Sequence, residues 1–104
     1  MHDELYRWMS HVMWVCQKDG DWLDEPAVYV FAKRDRKGDV WTPLYIGQAD
    51  NICDRMADHE RWDEAVRHGA THVHAMVVSE QADRDRIEVA LIAKYQPQLN
   101  THHR

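Results

Sequence analysis

Little in this 104-residue chain could staple it covalently or anchor it to a membrane. Its two cysteines, Cys16 and Cys53, lie far apart in segments that read as helical, and neither belongs to a CxxC pair. A dithiol redox centre is therefore excluded, and buried free thiols are expected, with a disulfide or a nucleophilic thiol as the alternatives. No apolar run approaches the roughly 20 residues that cross a bilayer. The start, Met1-His2-Asp3-Glu4, lacks the basic then apolar layout of a secretory signal. A cytoplasmic protein without membrane contact is expected. Repeats, linkers and low-complexity stretches are also missing.

Positive charge is not in excess either. The formal net charge is -5, which argues against a protein that coats nucleic acid by bulk electrostatics, since such binding rests on neutralising phosphates with Lys and Arg. The acid is unevenly placed: residues 1 to 26 hold six acids against Arg7 and Lys18, and the rest of the chain is close to neutral. With 44% hydrophobic and 30% charged residues, the chain has the composition of one soluble folded domain with a single core.

Leu5, Trp8, Met9, Val12, Met13 and Cys16 recur at helical spacing and predict an amphipathic helix over residues 3 to 17, with Asp3 and Glu4 at the positive end of its dipole. Its apolar stripe suits core packing or a dimer face. Lys18-Asp19-Gly20-Asp21 and Pro26 bound an acidic loop, so residues 1 to 26 read as an appended element and 27 to 104 as the main unit of one compact domain. Ala27 to Ala32 is apolar and β-branched, a buried strand. Lys33-Arg34-Asp35-Arg36-Lys37-Gly38-Asp39 is a polar turn, and Val40 to Gly47 returns as a second strand. Pro43 cannot donate a ladder hydrogen bond and marks an edge, a bulge or a strand start. A helix is predicted from Asp50 to His68-Gly69, capped by Asp50 or Asn51, then a third strand over Thr71 to Val78. A last helix runs from Glu80 to about Tyr95, capped by Ser79, with Ile87, Ala90, Leu91 and Tyr95 facing the sheet, and is stopped by Pro97. The expected fold is α+β: a small three-stranded, largely antiparallel sheet flanked by helices, with an extra N-terminal amphipathic helix.

The hairpin and the segments after it carry a set of motifs. Ala27-Val28-Tyr29 and Tyr45-Ile46-Gly47 stand on the two strands. Arg55 lies ten residues past Tyr45 with His59 one turn later, Glu88 sits in the last helix, and Pro97-Gln98-Leu99-Asn100 closes the series. Over residues 27 to 101 the chain resembles the GIY-YIG nucleases, which include homing endonucleases, some restriction enzymes and the incision domain of bacterial excision repair. YIG alone is a weak signal; five ordered features at family spacing are strong. Ala27 departs from the first motif glycine, and the Tyr29 to Tyr45 interval exceeds that of the shortest family hairpins, adding a basic tip.

The resemblance implies a divalent-metal-dependent DNA endonuclease. Phosphodiester hydrolysis needs an activated water, neutralisation of charge on the phosphate and stabilisation of the leaving alkoxide. Glu88 offers a hard oxygen ligand to Mg²⁺ or Mn²⁺, ions that take one or two protein carboxylates. Arg55 offers a planar fork to phosphate, and His59, four residues on, is expected on the same helical face. Tyr29 is assigned as the base, assisted by His59, and Tyr45 as a hydrogen-bond donor to water or phosphate. A phenol needs help from a metal, Arg55 or His59 to serve as a base at neutral pH. Asn100 is expected to tie the carboxy-terminal segment to the site through its amide. Lys33, Arg34, Arg36 and Lys37 would meet the DNA backbone. A chain this short leaves little room for target reading, so a homodimer partner or a separate recognition protein is expected to supply it.

Two other readings stand beside this one. A GIY-YIG fold could be catalytically silent and only bind nucleic acid or protein, although a binder has no need for a carboxylate beside phosphate. A histidine-dependent metal or interaction module would draw on His72 and His74, two apart on a strand, or on His102-His103. No cysteine or clear third ligand completes a tetrahedral zinc set.

Overall fold

The computed structural model describes residues 4–37 and 40–100. Gly38 and Asp39 of the predicted turn and the His102-His103 pair lie outside the described residues. The elements run β1 (Leu5–Trp8), β2 (His11–Cys16), β3 (Ala27–Arg34), β4 (Trp41–Ala49), α1 (Ile52–Ala57), α2 (Trp62–Arg67), β5 (His72–Val77), α3 (Gln81–Tyr95) and a 3₁₀ turn, Gln98–Asn100. The strands form one antiparallel sheet in the order β1-β2-β5-β3-β4.

The predicted three-stranded sheet is therefore corrected to five strands, and the predicted N-terminal helix is a β-hairpin. The reason is that a second apolar set, Tyr6 and Trp8 on β1 with Met13 and Val15 on β2, satisfies a period of two and competes with the helical stripe. Trp8, Met13 and Val15 are buried on one face, while Leu5, Met9 and Val12, which a helix would have turned inward, are 44 to 50% exposed. Met9 adopts a left-handed φ of 57° in the two-residue turn, and Trp8 pairs with His11 across it. Trp14, Val15 and Cys16 then pair with Ala75, His74 and Val73 of β5.

Side chains of β3 alternate between two cores. Ala27, Tyr29 and Phe31 point to the face covered by α1, α2 and the 3₁₀ turn, where Ile52, Met56, Ala65 and Leu99 pack. Val28, Val30 and Ala32 point to the other face, closed by Ile87 and Leu91 of α3 and by Trp8, Met13 and Val15. Strand β4 is the outer strand beside β3, where Pro43 causes no loss, and the register shifts between Phe31 and Ala32.

The predicted helix over 50 to 68 is two six-residue helices. Asn51 caps α1 by accepting the Asp54 N–H, and the loop after β2 adds Glu25 and Leu23 carbonyls for the Ile52 and Cys53 N–H groups. Asp58 leaves helical space at φ −152°, ψ 84° and ends α1. Helix α3 begins after Glu80, not Ser79, with no side-chain cap, and Gln96 ends it in left-handed geometry ahead of Pro97. Among the described residues no helix is long and apolar enough to cross a membrane. Cys16 and Cys53 are both free and half-buried.

Candidate active site

Tyr29 of β3 lies directly opposite Gly47 of β4, and Phe31 opposite Tyr45. All four positions face α1 and α2. A methyl group on Gly47 would come within 2.6 Å of the Tyr29 hydroxyl and 3.0 Å of the Tyr45 ring. The glycine is required by the closeness of the phenol, not by an unusual backbone angle. Gly47→Ala is expected to cost about 1–3 kcal/mol, the range for overpacking a tight interior, and to displace the Tyr29 ring; urea unfolding measures the first effect.

The Tyr29 hydroxyl is 2.7 Å from His59 Nε2. His59 Nδ1 accepts the Arg61 backbone N–H at 3.1 Å, so the neutral ring carries its proton on Nε2 and donates to Tyr29. Burial, and then the nearby Arg55 charge, holds the His59 pKa down at about 4. His59 is thus a neutral donor that favours phenolate on Tyr29. It does not share a helical face with Arg55 as predicted; it lies past the end of α1, and the bend there swings its ring onto Tyr29 and Phe31. Burial and the neighbouring Tyr45 push the Tyr29 pKa up, while the Arg55 guanidinium pulls it down by hydrogen bond and charge. Burial also raises Tyr45, again opposed by Arg55.

Arg55, in the last turn of α1, directs its fork at Glu60, with Nη1 and Nη2 donating to the two carboxylate oxygens at 2.9 and 3.0 Å. This pairing holds the Glu60 carboxyl down at about 2 and raises Arg55. The two side chains are 33% and 66% exposed, and a pair so open to water contributes at most about 1 kcal/mol. An incoming phosphate could replace the carboxylate at little cost.

Asn100 clamps the free side of β4. Its Oδ1 accepts the Ile46 N–H at 2.7 Å and its Nδ2 donates to the Ile46 carbonyl at 2.9 Å, which pairs the backbone between Tyr45 and Gly47 as a neighbouring strand would. Glu88, on the half-buried flank of α3, accepts a hydrogen bond from Gln48 at 3.0 Å, and its charge raises both Tyr29 and Tyr45. The structure therefore gathers Tyr29, Tyr45, Arg55, His59 and Glu88 around Gly47, with Asn100 behind the strand. Among the described residues no group of three His, Cys, Asp or Glu could hold a metal; a lone carboxylate beside phenols matches Mg²⁺ or Mn²⁺, which retain waters and substrate oxygens.

Of the four basic residues assigned to DNA, Arg34 forms an ion pair with Glu4 and stacks 4.4 Å over Trp41. Lys33 lays its stem where a Gly69 side chain would go, and Arg36 and Lys37 are exposed. His72 bonds Thr71, and His74 is fully buried with Nδ1 accepting from Trp8. Glu60, Gln48 and Arg84 were not singled out from the sequence. Only Arg84 carried a local signal, an arginine on the same helical stripe as Ile87 and Leu91.

No family model matches the chain. UvrABC system protein C of Aquifex aeolicus is 28% identical over 87 residues, 78% of this chain, which spans 14% of that protein's length. The magnesium-bound GIY-YIG N-terminal endonuclease domain of UvrC from Thermotoga maritima superposes with a TM-score of 0.61 at 27% identity, covering 77% of this chain and 88% of that domain. A cation-bound point mutant of the same domain, with an asparagine replaced by alanine, gives 0.58. In fold and in motif this chain is similar to the GIY-YIG endonuclease domain of UvrC.

Proposed function

We propose that the chain is a DNA endonuclease that hydrolyses phosphodiester bonds with Mg²⁺ or Mn²⁺ held by Glu88. The observation that carries this reading is the convergence on Gly47 of two phenols, an arginine fork and a neutral histidine donor, within reach of the Glu88 charge. The divalent cation would supply positive charge that favours ionised oxygen at neutral pH. Arg55 exchanges Glu60 for a phosphate and neutralises the charge that grows there.

Tyr29 was assigned as the base from the sequence, but it is 1% exposed and already carries the His59 hydrogen bond. Tyr45 is less buried and is the phenol placed to meet water or phosphate; Tyr29 and His59 hold its neighbourhood polar and rigid. Arg36 and Lys37 at the hairpin tip contact the DNA backbone, and a second copy or a separate recognition protein reads the target. We place the work of the domain in the cytoplasm, on DNA.

Glu60→Gln removes the competitor for the Arg55 fork. It is expected to tighten DNA binding several-fold and to lower KM with little change in kcat, read by fluorescence anisotropy and steady-state kinetics. A silent, binding-only fold is the reading that the occupied Arg55 fork would favour. Incubating plasmid, single-stranded and branched DNA with Mg²⁺ or Mn²⁺ separates the two. Absence of metal-dependent cleavage on every DNA form, with binding retained, would leave the silent reading standing.

A further inference from the structure

Arg84 is only 4% exposed, yet all five of its N–H groups are satisfied. Nε donates to Gln48 Oε1 at 3.1 Å, Nη1 to the Val78 and Ser79 carbonyls at 2.9 and 3.1 Å, and Nη2 to Asp50 Oδ1 and Gln81 Oε1, both at 2.9 Å. A guanidinium held on every donor is fixed in place. Gln81 Nε2 adds a second donor to Gln48 Oε1 at 2.9 Å.

Two donors on one oxygen settle which way the Gln48 amide points. Its NH₂ group therefore faces α3, where it donates to Asp85 Oδ1 at 2.6 Å and Glu88 Oε1 at 3.0 Å. One Glu88 oxygen is engaged and the other is left for a ligand. A flexible glutamate on a helix surface would otherwise sample many rotamers.

Resting on the nuclease reading above, we propose that Gln48, locked by Arg84 and Gln81, is the positioning residue that aims the Glu88 carboxylate at the divalent cation. It touches neither substrate nor metal. It acts by keeping Glu88 in one rotamer and by fixing α3 against the outer strand that carries Tyr45 and Gly47. Partners of this kind set metal affinity by 10- to 100-fold in metalloproteins generally. A mere tie between β4 and α3 would change the melting temperature without changing that affinity.

The test is Mn²⁺ binding to the full chain, followed by electron paramagnetic resonance, for wild type, Glu88→Gln, Gln48→Met and Gln81→Ala, with circular dichroism as the fold control. Wild type is expected to bind Mn²⁺ at a site that Glu88→Gln abolishes. Gln48→Met should weaken that site about 10-fold or more, and Gln81→Ala, which removes one of the two locks, by a smaller factor. The Mn²⁺ concentration for half-maximal cleavage should shift by the same ratio, with most of the rate recovered at saturation. A Glu88-dependent site whose affinity is unchanged by Gln48→Met, whatever its melting temperature, overturns the positioning role and leaves the nuclease reading intact. No Glu88-dependent Mn²⁺ site in the wild type overturns both. If Gln48→Met does not fold, Gln81→Ala decides by the same readings.

Discussion

Glu88→Gln is expected to reduce divalent-dependent DNA cleavage by about 10³-fold or more, the loss that accompanies removal of a principal electrostatic element from a phosphoryl-transfer site. The substitution keeps the size of the side chain and an acceptor for the Gln48 amide, so the fold should be unchanged by circular dichroism. What disappears is the anionic oxygen on which a hard cation depends. A second consequence comes from the charge itself. Because the Glu88 carboxylate raises the pKa of both Tyr29 and Tyr45, its neutralisation should move their ionisation to lower pH, which ultraviolet phenolate titration of the metal-free protein reads directly. Metal-dependent cleavage that persists in Glu88→Gln would remove Glu88 from the site.

Acid is expected to destabilise the domain well before its carboxylates are neutralised. His74 is fully buried, ringed by Tyr6, Trp8 and Trp41, with Nδ1 accepting from the Trp8 indole and Nε2 without a hydrogen-bond partner among the described residues. Protonation would turn the Nδ1 acceptor into a donor facing another donor. Burial, followed by the charges of His72 and Arg34, holds its pKa down at about 3, and His59 sits at about 4. The sign is fixed by which state takes the proton. Above the unfolded value near 6.5 both rings are neutral in both states and stability does not depend on them. As pH falls below 6.5 the unfolded chain binds protons that the folded one refuses, so stability is lost until the folded values are reached. At 1.36 kcal/mol per unit, each ring costs about 2–3 kcal/mol by pH 4.5. Together that is a large part of the 5–15 kcal/mol typical of a domain. Urea unfolding at pH 7, 5.5 and 4.5 should show the decline, and His74→Gln, which retains an acceptor for Trp8, should flatten it by the share of one group. Stability that is level from pH 7 to 4.5 would contradict the burial of neutral histidines.

The resemblance made Tyr29, Tyr45, Gly47, Glu88 and Asn100 legible because their order and spacing along the chain are features of the chain itself. The antiparallel β3–β4 pair and α3 were legible for a similar reason, since alternation and helical spacing there favour one period. Residues 5 to 16 were ambiguous: Leu5, Trp8, Val12, Met13 and Cys16 fit a period of 3.6, Tyr6, Trp8, Met13 and Val15 fit a period of two, and no local energy chooses between the two sets. The choice falls to β5, more than 50 residues away, whose edge accepts β2 as a neighbour. His59 was placed near Arg55, but through a continuous helix that Asp58 in fact interrupts.

By itself, then, the sequence determined the β3–β4 hairpin and the last helix and, through the resemblance, named Tyr29, Tyr45, Arg55, His59, Glu88 and Asn100 as candidates, because these depend on short-range pattern and spacing. Only the tertiary structure decided that the first segment is a strand pair, that the Arg55 fork holds Glu60, and that His59 is a neutral donor to Tyr29. It alone decided that Gln48, bracketed by Arg84 and Gln81, holds Glu88. Each of those is a bond between groups whose partners become neighbours when the sheet closes and α3 lies across β4, and the tautomer or rotamer each adopts is set by that neighbour.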